Sequence, residues 1–421
     1  MSTALHICGG RTLQGELTID GSHEAGLALI AACAATTHEV RLYGLPSTRG
    51  ILRQMDALRR LGRTVEQDGD VWIIHPGVSQ TSLDDAPDHA WPSLLFLGPV
   101  LAQRGEFSLA LPRQSSGRSG FLDPYIKILK ALGVTPDIDA GRVRADISDL
   151  EAGDVYLDAP HFGATWTAVT LATRAQGRTR IVGASRAPEL VDAVNLLNRM
   201  GARIVGAGTE VITITGETEW SGGKHEVIPD RFAAGFYLIA AAATGGDVRL
   251  RGVISDHLRA LTAKLEETGA DVQITTDCIR IVADGEPKPV SLRTGFYPAV
   301  PSELRAAMCS LLLGAQGTSI VSETTTESSL YDLTELERMG AQIIRDGQTA
   351  VIRGGVRPSA ARVRAQDPNS AAALVIAALM ADGTSCIENA EELLTCLPDP
   401  CDQLVRLGAV VRWEEKSQVA G

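Results

Sequence analysis

The chain has 421 residues, 44 % of them apolar and 21 % charged, which excludes a disordered or fibrous protein and provides apolar surface for two or three domains. A net charge of −12 argues against nonspecific binding to nucleic acid or to an anionic membrane, since both need a basic face. No secretory leader or apolar run of bilayer length is visible, so the expected setting is a reducing cytoplasm.

The first predicted element is a strand within HICGGRTLQGELTIDG. AGLALIAACAATTHEVRLYGLP follows, a stretch apolar on every side over helix length and then β-rich, which predicts a buried helix and a strand. Next comes an amphipathic helix over Ile51 to Leu61, a Leu-Gly break at Gly62 and a hairpin of alternating apolar residues. The same phrase then returns along the whole chain. Buried helices are predicted in SLLFLGPVLAQRGEFSLALP, TAVTLATRAQGRTRIVGAS, GFYLIAAAATGGDVRLRGV, AAMCSLLLGAQGTSIVSET and AAALVIAALMADGTSCIENA. The amphipathic helices that follow them end at Gly133, Gly201, Gly269, Gly340 and Gly408, so successive glycines lie 68 or 71 residues apart. Self-similarity at a fixed period sets the architecture before any single residue does.

One repeat is a small sheet with one buried and one exposed helix. Three repeats can share a centre where the buried helices meet, and six make two globules. The first trio ends near Thr215, and GETEWSGGKHEVIPDR reads as a polar, Gly-rich linker. The N-terminal strand has no repeat of its own and is expected to complete the second globule. The expected domains are therefore residues 1–20 with 229–421, and residues 21–228. Such a chain crosses twice between its lobes, and a cleft between two similar lobes is a common place for small-molecule chemistry.

The seven cysteines are an odd number without a C-x-x-C pair. Cys33, Cys309 and Cys386 lie in apolar runs, while Cys396 and Cys401 are expected in a loop. The histidines show no metal spacing, and the glycine breaks form neither a dinucleotide nor a P-loop fingerprint. No metal and no cofactor are expected.

The plan resembles the enolpyruvyl transferases, and most of all their UDP-N-acetylglucosamine 1-carboxyvinyltransferase branch. LQGELTIDGSHEAGLALIAA, LFLGPVLAQRGEFSLALP, APELVDAVNLLNRMGA, VIPDRFAAGFYLIAAA and ELERMGAQI carry the likeness in order and spacing. The resemblance implies an α/β (α+β) protein of two domains, an inside-out α/β barrel of the enolpyruvyl transferase and RNA 3'-cyclase-like kind. It has six βαβαββ repeats, three to a domain, with a mobile lid at about 112–124.

That family moves a carboxyvinyl group from phosphoenolpyruvate to an alcohol and grips the donor with Lys and Arg. Carried over residue by residue, its cationic positions fall elsewhere in type. The first-helix Lys-Asn pair falls on His23 and Glu24, an Arg on Trp91, and a Lys on Ala159. Three further Arg positions fall on Ser329, Asn369 and Thr395. The lid's catalytic Cys and its Arg fall on Ser115 and Gly120. Asp123, Asp230, Arg231 and Asp367 are retained, Glu303 replaces the Asp that deprotonates the acceptor alcohol, and Arg118 and Arg305 are new cations nearby. A charge-assisted hydrogen bond contributes roughly 1.5–3 kcal/mol. Losing five or more removes on the order of 8 kcal/mol of anion binding, about a million-fold in affinity.

Aromatic residues gather where the cations are missing. Trp91, Phe121, Tyr125, Phe162, Trp166, Tyr297 and Tyr331 all align near the cleft or its loops, out of 18 Phe, Trp and Tyr residues in the chain. An aromatic box suits a bulkier, less charged ligand.

The candidate acid/base groups are His23, Glu24, Glu303 and Asp367. Imidazole suits proton transfer near neutrality, and the resemblance places both carboxylates at the cleft. For Glu303 and Asp367 the competing reading is a pair of solvated or helix-capping carboxylates. His161 is either a ligand-binding group or a helix cap. Ser115, in a Ser/Gly-rich segment, suits a flexible lid better than a nucleophile. Arg118, Asp123, Arg305 and Asn369 complete the candidate substrate contacts with Ser115, His161 and the aromatic set. The expected activity is elimination, isomerisation or cyclisation of a specialised metabolite without phosphoenolpyruvate. The alternatives are carboxyvinyl transfer to a nucleotide or UDP-sugar alcohol, and a non-catalytic binding relative. The expected partner is a small molecule, with no nucleic acid and no membrane, and the protein is a monomer or homo-oligomer.

Overall fold

The computed structural model describes residues 3–84, 90–111, 121–139, 141–325 and 333–415. It divides into two compact units, unit 1 comprising residues 1–20 with 229–421 and unit 2 comprising residues 21–228. The chain opens in unit 1 with β1 (Thr3–Cys8) and β2 (Gln14–Thr18).

Unit 2 begins with α1 (His23–Ala32), β3 (Val40–Tyr43), α2 (Arg49–Arg60), β4 (Val65–Asp68) and β5 (Val71–Ile74). Its second repeat is β6 (Ser82–Leu83), α3 (Ala90–Leu94), α4 (Leu97–Arg104), β7 (Glu106–Ala110), α5 (Asp123–Ala131), β8 (Asp137–Asp139) and β9 (Arg142–Asp146). The third is β10 (Asp154–Tyr156), α6 (Phe162–Ala172), β11 (Arg178–Val182), α7 (Pro188–Arg199), β12 (Arg203–Val205) and β13 (Val211–Thr215), followed by β14 (Gly223–Glu226).

Back in unit 1 come α8 (Arg231–Ala243), β15 (Asp247–Arg251), α9 (Arg259–Glu267), β16 (Asp271–Ile274) and β17 (Cys278–Val282). Then follow β18 (Ser291–Thr294), a single 3-10 turn over Ser302–Leu304, α10 (Arg305–Leu313), β19 (Thr318–Glu323), α11 (Thr334–Glu337), β20 (Gln342–Asp346) and β21 (Thr349–Arg353). The last repeat is β22 (Arg362–Arg364), α12 (Pro368–Met380), β23 (Thr384–Glu388), α13 (Pro400–Arg406) and β24 (Val410–Glu415).

Among the described residues six four-stranded sheets result, and all share one plan. In β18-β19-β21-β20, for example, the first two strands are parallel and the other pairs antiparallel. The strands alternate buried and exposed residues, as Thr318 to Glu323 does, so each sheet turns one face to a core and the other to solvent. The sheet β22-β23-β1-β24 shows how the ends of the chain close the fold. The N-terminal β1 takes the place that β21 has in its own sheet, pairing with β23 and β24.

The helices form the interior. α8, α10 and α12 contact one another at the centre of unit 1, and residues Ala371 to Met380 of α12 are all buried. In unit 2, α4 packs on α6 and on the 3-10 turn that extends α1. α2 is of the other kind, burying Ile51, Met55 and Leu58 while Arg53, Asp56, Arg59 and Arg60 face water. The six period-setting glycines have a common cause. Gly62, Gly133, Gly201, Gly269, Gly340 and Gly408 all have φ between 80° and 108°, the left-handed conformation that ends a helix without a Cβ penalty.

Two elements differ from their sequence reading. The supposed linker contains β14, which pairs in parallel with β3. Only His225 of its four residues is buried, so its two-residue period is almost invisible in the sequence. Cys401 lies in α13, and Cys396 ends the 3-10 turn Ala390–Thr395. Of the segment read as a lid, residues 112–120 lie outside the described residues, while Asp123 and Pro124 open α5. No helix among the described residues is long and apolar enough to cross a membrane.

Candidate functional site

The candidate residues collect at the N-termini of the buried helices. In unit 2, Ser22 caps α1, its Oγ accepting from the Ala25 N–H at 3.2 Å. His23 is the first helical residue and is 5 % exposed. Its Nδ1 lies 3.0 Å from Thr48 Oγ1, a hydroxyl that also caps α2 by accepting from the Ile51 N–H. Burial pushes the imidazole pKa down to about 4. At neutral pH His23 is therefore an uncharged hydrogen-bonding group and proton acceptor, not a cation. Glu24 is half-buried in the first turn of α1, where the helix dipole favours a carboxylate.

His161 caps α6, with Nδ1 accepting from the Ala164 N–H at 3.0 Å. That bond places the proton of the neutral ring on Nε2. The ring meets Tyr125 edge-on, with centroids 5.3 Å apart and planes at 79°. Tyr125 in turn depends on a glycine: a Cβ at Gly163 would lie 1.9 Å from its hydroxyl oxygen. Phe121 and Phe162 are partly buried against the core of unit 2, and Asp123 is exposed at the start of α5.

In unit 1, Asp230 caps α8 by accepting from the N–H groups of Phe232 and Ala233 at 2.8 and 2.9 Å. The Arg231 guanidinium lies 4.4 Å from the Phe232 ring centroid and 5.4 Å from that of Tyr297. Glu303 is exposed in the turn before α10. Asp367 caps α12 in a capping box, its carboxylate accepting from the Ser370 N–H at 2.7 Å while Ser370 Oγ accepts from the Asp367 N–H. Asn369 is half-buried one residue on from Pro368.

Three residues expected to contact substrate point inward instead. Trp166 is fully buried and donates from Nε1 to the Leu95 carbonyl at 2.9 Å. It sits within a helix apolar on all sides, and an indole there joins the core once its N–H has a partner. Arg305 is likewise fully buried, with Nη1 2.9 Å from Glu323 Oε2. Its charge is matched inside the protein, so it is not a surface cation awaiting an anion. Tyr125 is also interior, at 1 % exposure. Ser115, Arg118, Tyr331 and the side chain of Trp91 lie outside the described residues.

Sequence reasoning missed Glu323. Burial alone would raise its pKa, but hydrogen bonds from Thr325, Ser302 and Thr294 outweigh that and hold the carboxyl below the usual range. Its only signal in the sequence is weak, a single carboxylate closing a strand. Among the described residues, no group of three or more His, Cys, Asp and Glu side chains could hold a metal ion. A cavity of about 400 Å³ in unit 1 lies at the opposite, C-terminal ends of α8, α10 and α12, and none of the predicted site residues lines it.

Six repeated sheets around central helices, with polar and ionisable residues at the helix N-termini, define a protein of the enolpyruvyl transferase type. A family model described as EPSP synthase (3-phosphoshikimate 1-carboxyvinyltransferase) matches residues 7–404. UDP-N-acetylglucosamine 1-carboxyvinyltransferase 2 of Carboxydothermus hydrogenoformans is 38 % identical over 381 residues, covering 90 % of this chain and 91 % of that protein. UDP-N-acetylglucosamine 1-carboxyvinyltransferase 1 of Staphylococcus aureus is 35 % identical over 409 residues, covering 96 % and 97 %. The chain belongs to the EPSP synthase family, within the enolpyruvyl transferase superfamily. The crystal structure of the enolpyruvyl transferase NikO from Streptomyces tendae shares the fold, with a TM-score of 0.87 at 23 % identity over 98 % of this chain and 99 % of that one. EPSP synthase from Acinetobacter baumannii shares it at a TM-score of 0.74 and 17 % identity, over 99 % and 100 %.

Proposed function

We propose that this protein uses the enolpyruvyl transferase scaffold without phosphoenolpyruvate, for acid/base chemistry on a bulky, weakly charged metabolite. The observation that carries the proposal is the loss of positive charge at the first buried helix. The family's lysine position holds His23, which burial keeps neutral. Arg305, a candidate replacement cation, is fully buried against Glu323. Two further positions where the resemblance places a family cation hold Ala159 and Asn369, which bring no charge. A donor with a phosphate and a carboxylate has too few partners here, and the shortfall is about a million-fold in affinity on the reckoning above.

The remaining groups suit proton transfer. Neutral His23 in unit 2 and the Glu303 and Asp367 carboxylates in unit 1 are each groups that can accept a proton and return it. Isomerisation and cyclisation need only that relay, and elimination adds a departing group. Arg231 is largely buried, with its guanidinium near the Phe232 and Tyr297 rings at the start of α8. Orientation in such a site supplies much of the rate.

A second reading is carboxyvinyl transfer from phosphoenolpyruvate to an alcohol of a UDP-sugar. It is favoured by 38 % identity to a relative named for that reaction, across 90 % of the chain. Calorimetric titration with phosphoenolpyruvate, with and without UDP-N-acetylglucosamine, decides between them. No saturable heat at millimolar ligand is the expected result; micromolar binding with phosphate release refutes the proposal and establishes the transfer. His23→Gln and Glu303→Gln then address catalysis. Folded variants that abolish the cellular product support an enzyme, and an unchanged product in both overturns the assignment of these residues.

A further inference from the structure

The Glu323 carboxylate gathers four segments of unit 1 into one point. Its Oε2 accepts from Thr294 Oγ1 at 3.0 Å and from Arg305 Nη1 at 2.9 Å. Its Oε1 accepts from Ser302 Oγ at 3.0 Å, from the Thr325 N–H at 2.8 Å and from Thr325 Oγ1 at 2.9 Å. The donors come from the end of β18, the Ser302–Leu304 turn, the start of α10 and the residues just past β19. Both charged side chains have no solvent exposure.

Taking a guanidinium and a carboxylate out of water is costly, and a well-packed apolar pair of similar volume often serves stability as well or better. What the ion pair supplies that an apolar pair does not is direction. Five directed bonds to one group fix where each donor's backbone runs. Two of those donors, Ser302 and Arg305, bracket Glu303 in the sequence. The carboxylate therefore grips the turn on both sides of an exposed glutamate, leaving that side chain little freedom at its root. The hydrogen bonds also keep Glu323 ionised, against the effect of its burial, so the grip persists at neutral pH.

We infer that Glu323 is a positioning residue for Glu303: through Ser302 and Arg305 it holds the turn that presents the proposed acid/base group. The inference rests on the proposed role of Glu303 in proton transfer; the anchoring itself does not. Arg305 is the counter-ion that makes the anchor possible, which gives this residue a role even though it is removed from any ligand.

The test uses the full chain with Glu323→Gln, Ser302→Ala and the charge-free pair Arg305→Met/Glu323→Gln. Amide hydrogen exchange is followed peptide by peptide, and the Glu303 carboxyl is titrated by 13C NMR, its signal assigned by its absence in Glu303→Gln. Ser302→Ala removes one bond and no charge, so it remains informative if Glu323→Gln fails to fold. The expected result is exchange over 302–305 faster by roughly tenfold, with α8 and α12 unchanged. The Glu303 titration should move with it. A lower melting temperature with exchange raised evenly across unit 1, and an unmoved Glu303 titration, overturns the inference and leaves a stabilising ion pair. If Glu303→Gln retains product formation, the acid/base reading of Glu303 fails, and the exchange pattern still decides the anchoring.

Discussion

The neutral state of His23 makes a quantitative prediction about stability and pH. In the unfolded chain its imidazole titrates at the ordinary value near 6.5, and in the folded protein burial lowers it to about 4. Between those values the unfolded chain binds a proton that the folded one refuses. Stability is therefore fully present above pH 6.5 and is lost as pH falls toward 4, below which both states are protonated. The gap corresponds to about 3 kcal/mol for the complete transition. Carboxylates titrate in the same range, so the effect must be isolated as a difference. Urea unfolding from pH 4 to pH 8 is to be measured on the wild type and on His23→Gln, which keeps a polar group facing Thr48 but cannot titrate. The stability of the variant relative to wild type should rise by about 3 kcal/mol as pH falls across that window, and be constant above it. A flat difference would mean that the imidazole is solvated. A difference of opposite sign would mean that the folded state holds an imidazolium, and the cation argument against the proposed chemistry would then have to be reversed.

The notch at Gly163 predicts that Gly163→Ala costs about 1–3 kcal/mol by driving a methyl group into the Tyr125 hydroxyl. Adding Tyr125→Phe should recover part of that loss, as a double-mutant cycle of melting curves will show. Asp367→Ala should lower stability by about 1 kcal/mol through loss of the α12 cap. Asp367→Asn keeps the capping acceptor, so a variant that melts normally but is inactive separates catalysis from capping. For phosphoenolpyruvate affinity, the single graft Ala159→Lys should gain no more than about 1.5–3 kcal/mol, roughly 10- to 100-fold. Micromolar binding by that single variant, measured by calorimetry, would show that the other missing cations were not needed.

The repeats were legible because each rests on a local rule. A left-handed helix terminus needs glycine, so Gly62 and its five counterparts mark the same event in each copy. A helix without a polar side, such as Ala371 to Met380, has no place but the interior. The failures were all nonlocal. β14 exists because β3 offers it an edge, and its own residues Lys224, His225 and Glu226 carry almost no strand pattern. The sequence analysis put Trp166 near the cleft or its loops, whereas it lies in α6, whose residues from Gly163 to Ala172 are all buried, so no exposed side marks outward. Arg305 looked like a cation near a site because its partner lies 18 residues away, at the end of β19.

Arg305 and Arg231 show why residue types alone mislead about charge. Both are arginines at the start of buried helices in unit 1, and both count equally in a sequence-based tally of cations. One has its guanidinium against a buried carboxylate, in a network that uses the charge to orient a turn. The other, also largely buried, lies near two aromatic rings. An anion-binding site needs charge that is both present and unspent, because a guanidinium already matched by a carboxylate must break that pair before it serves a ligand. By that criterion a count of arginines overstates the cationic character of this scaffold, since the Arg305 charge is already paired.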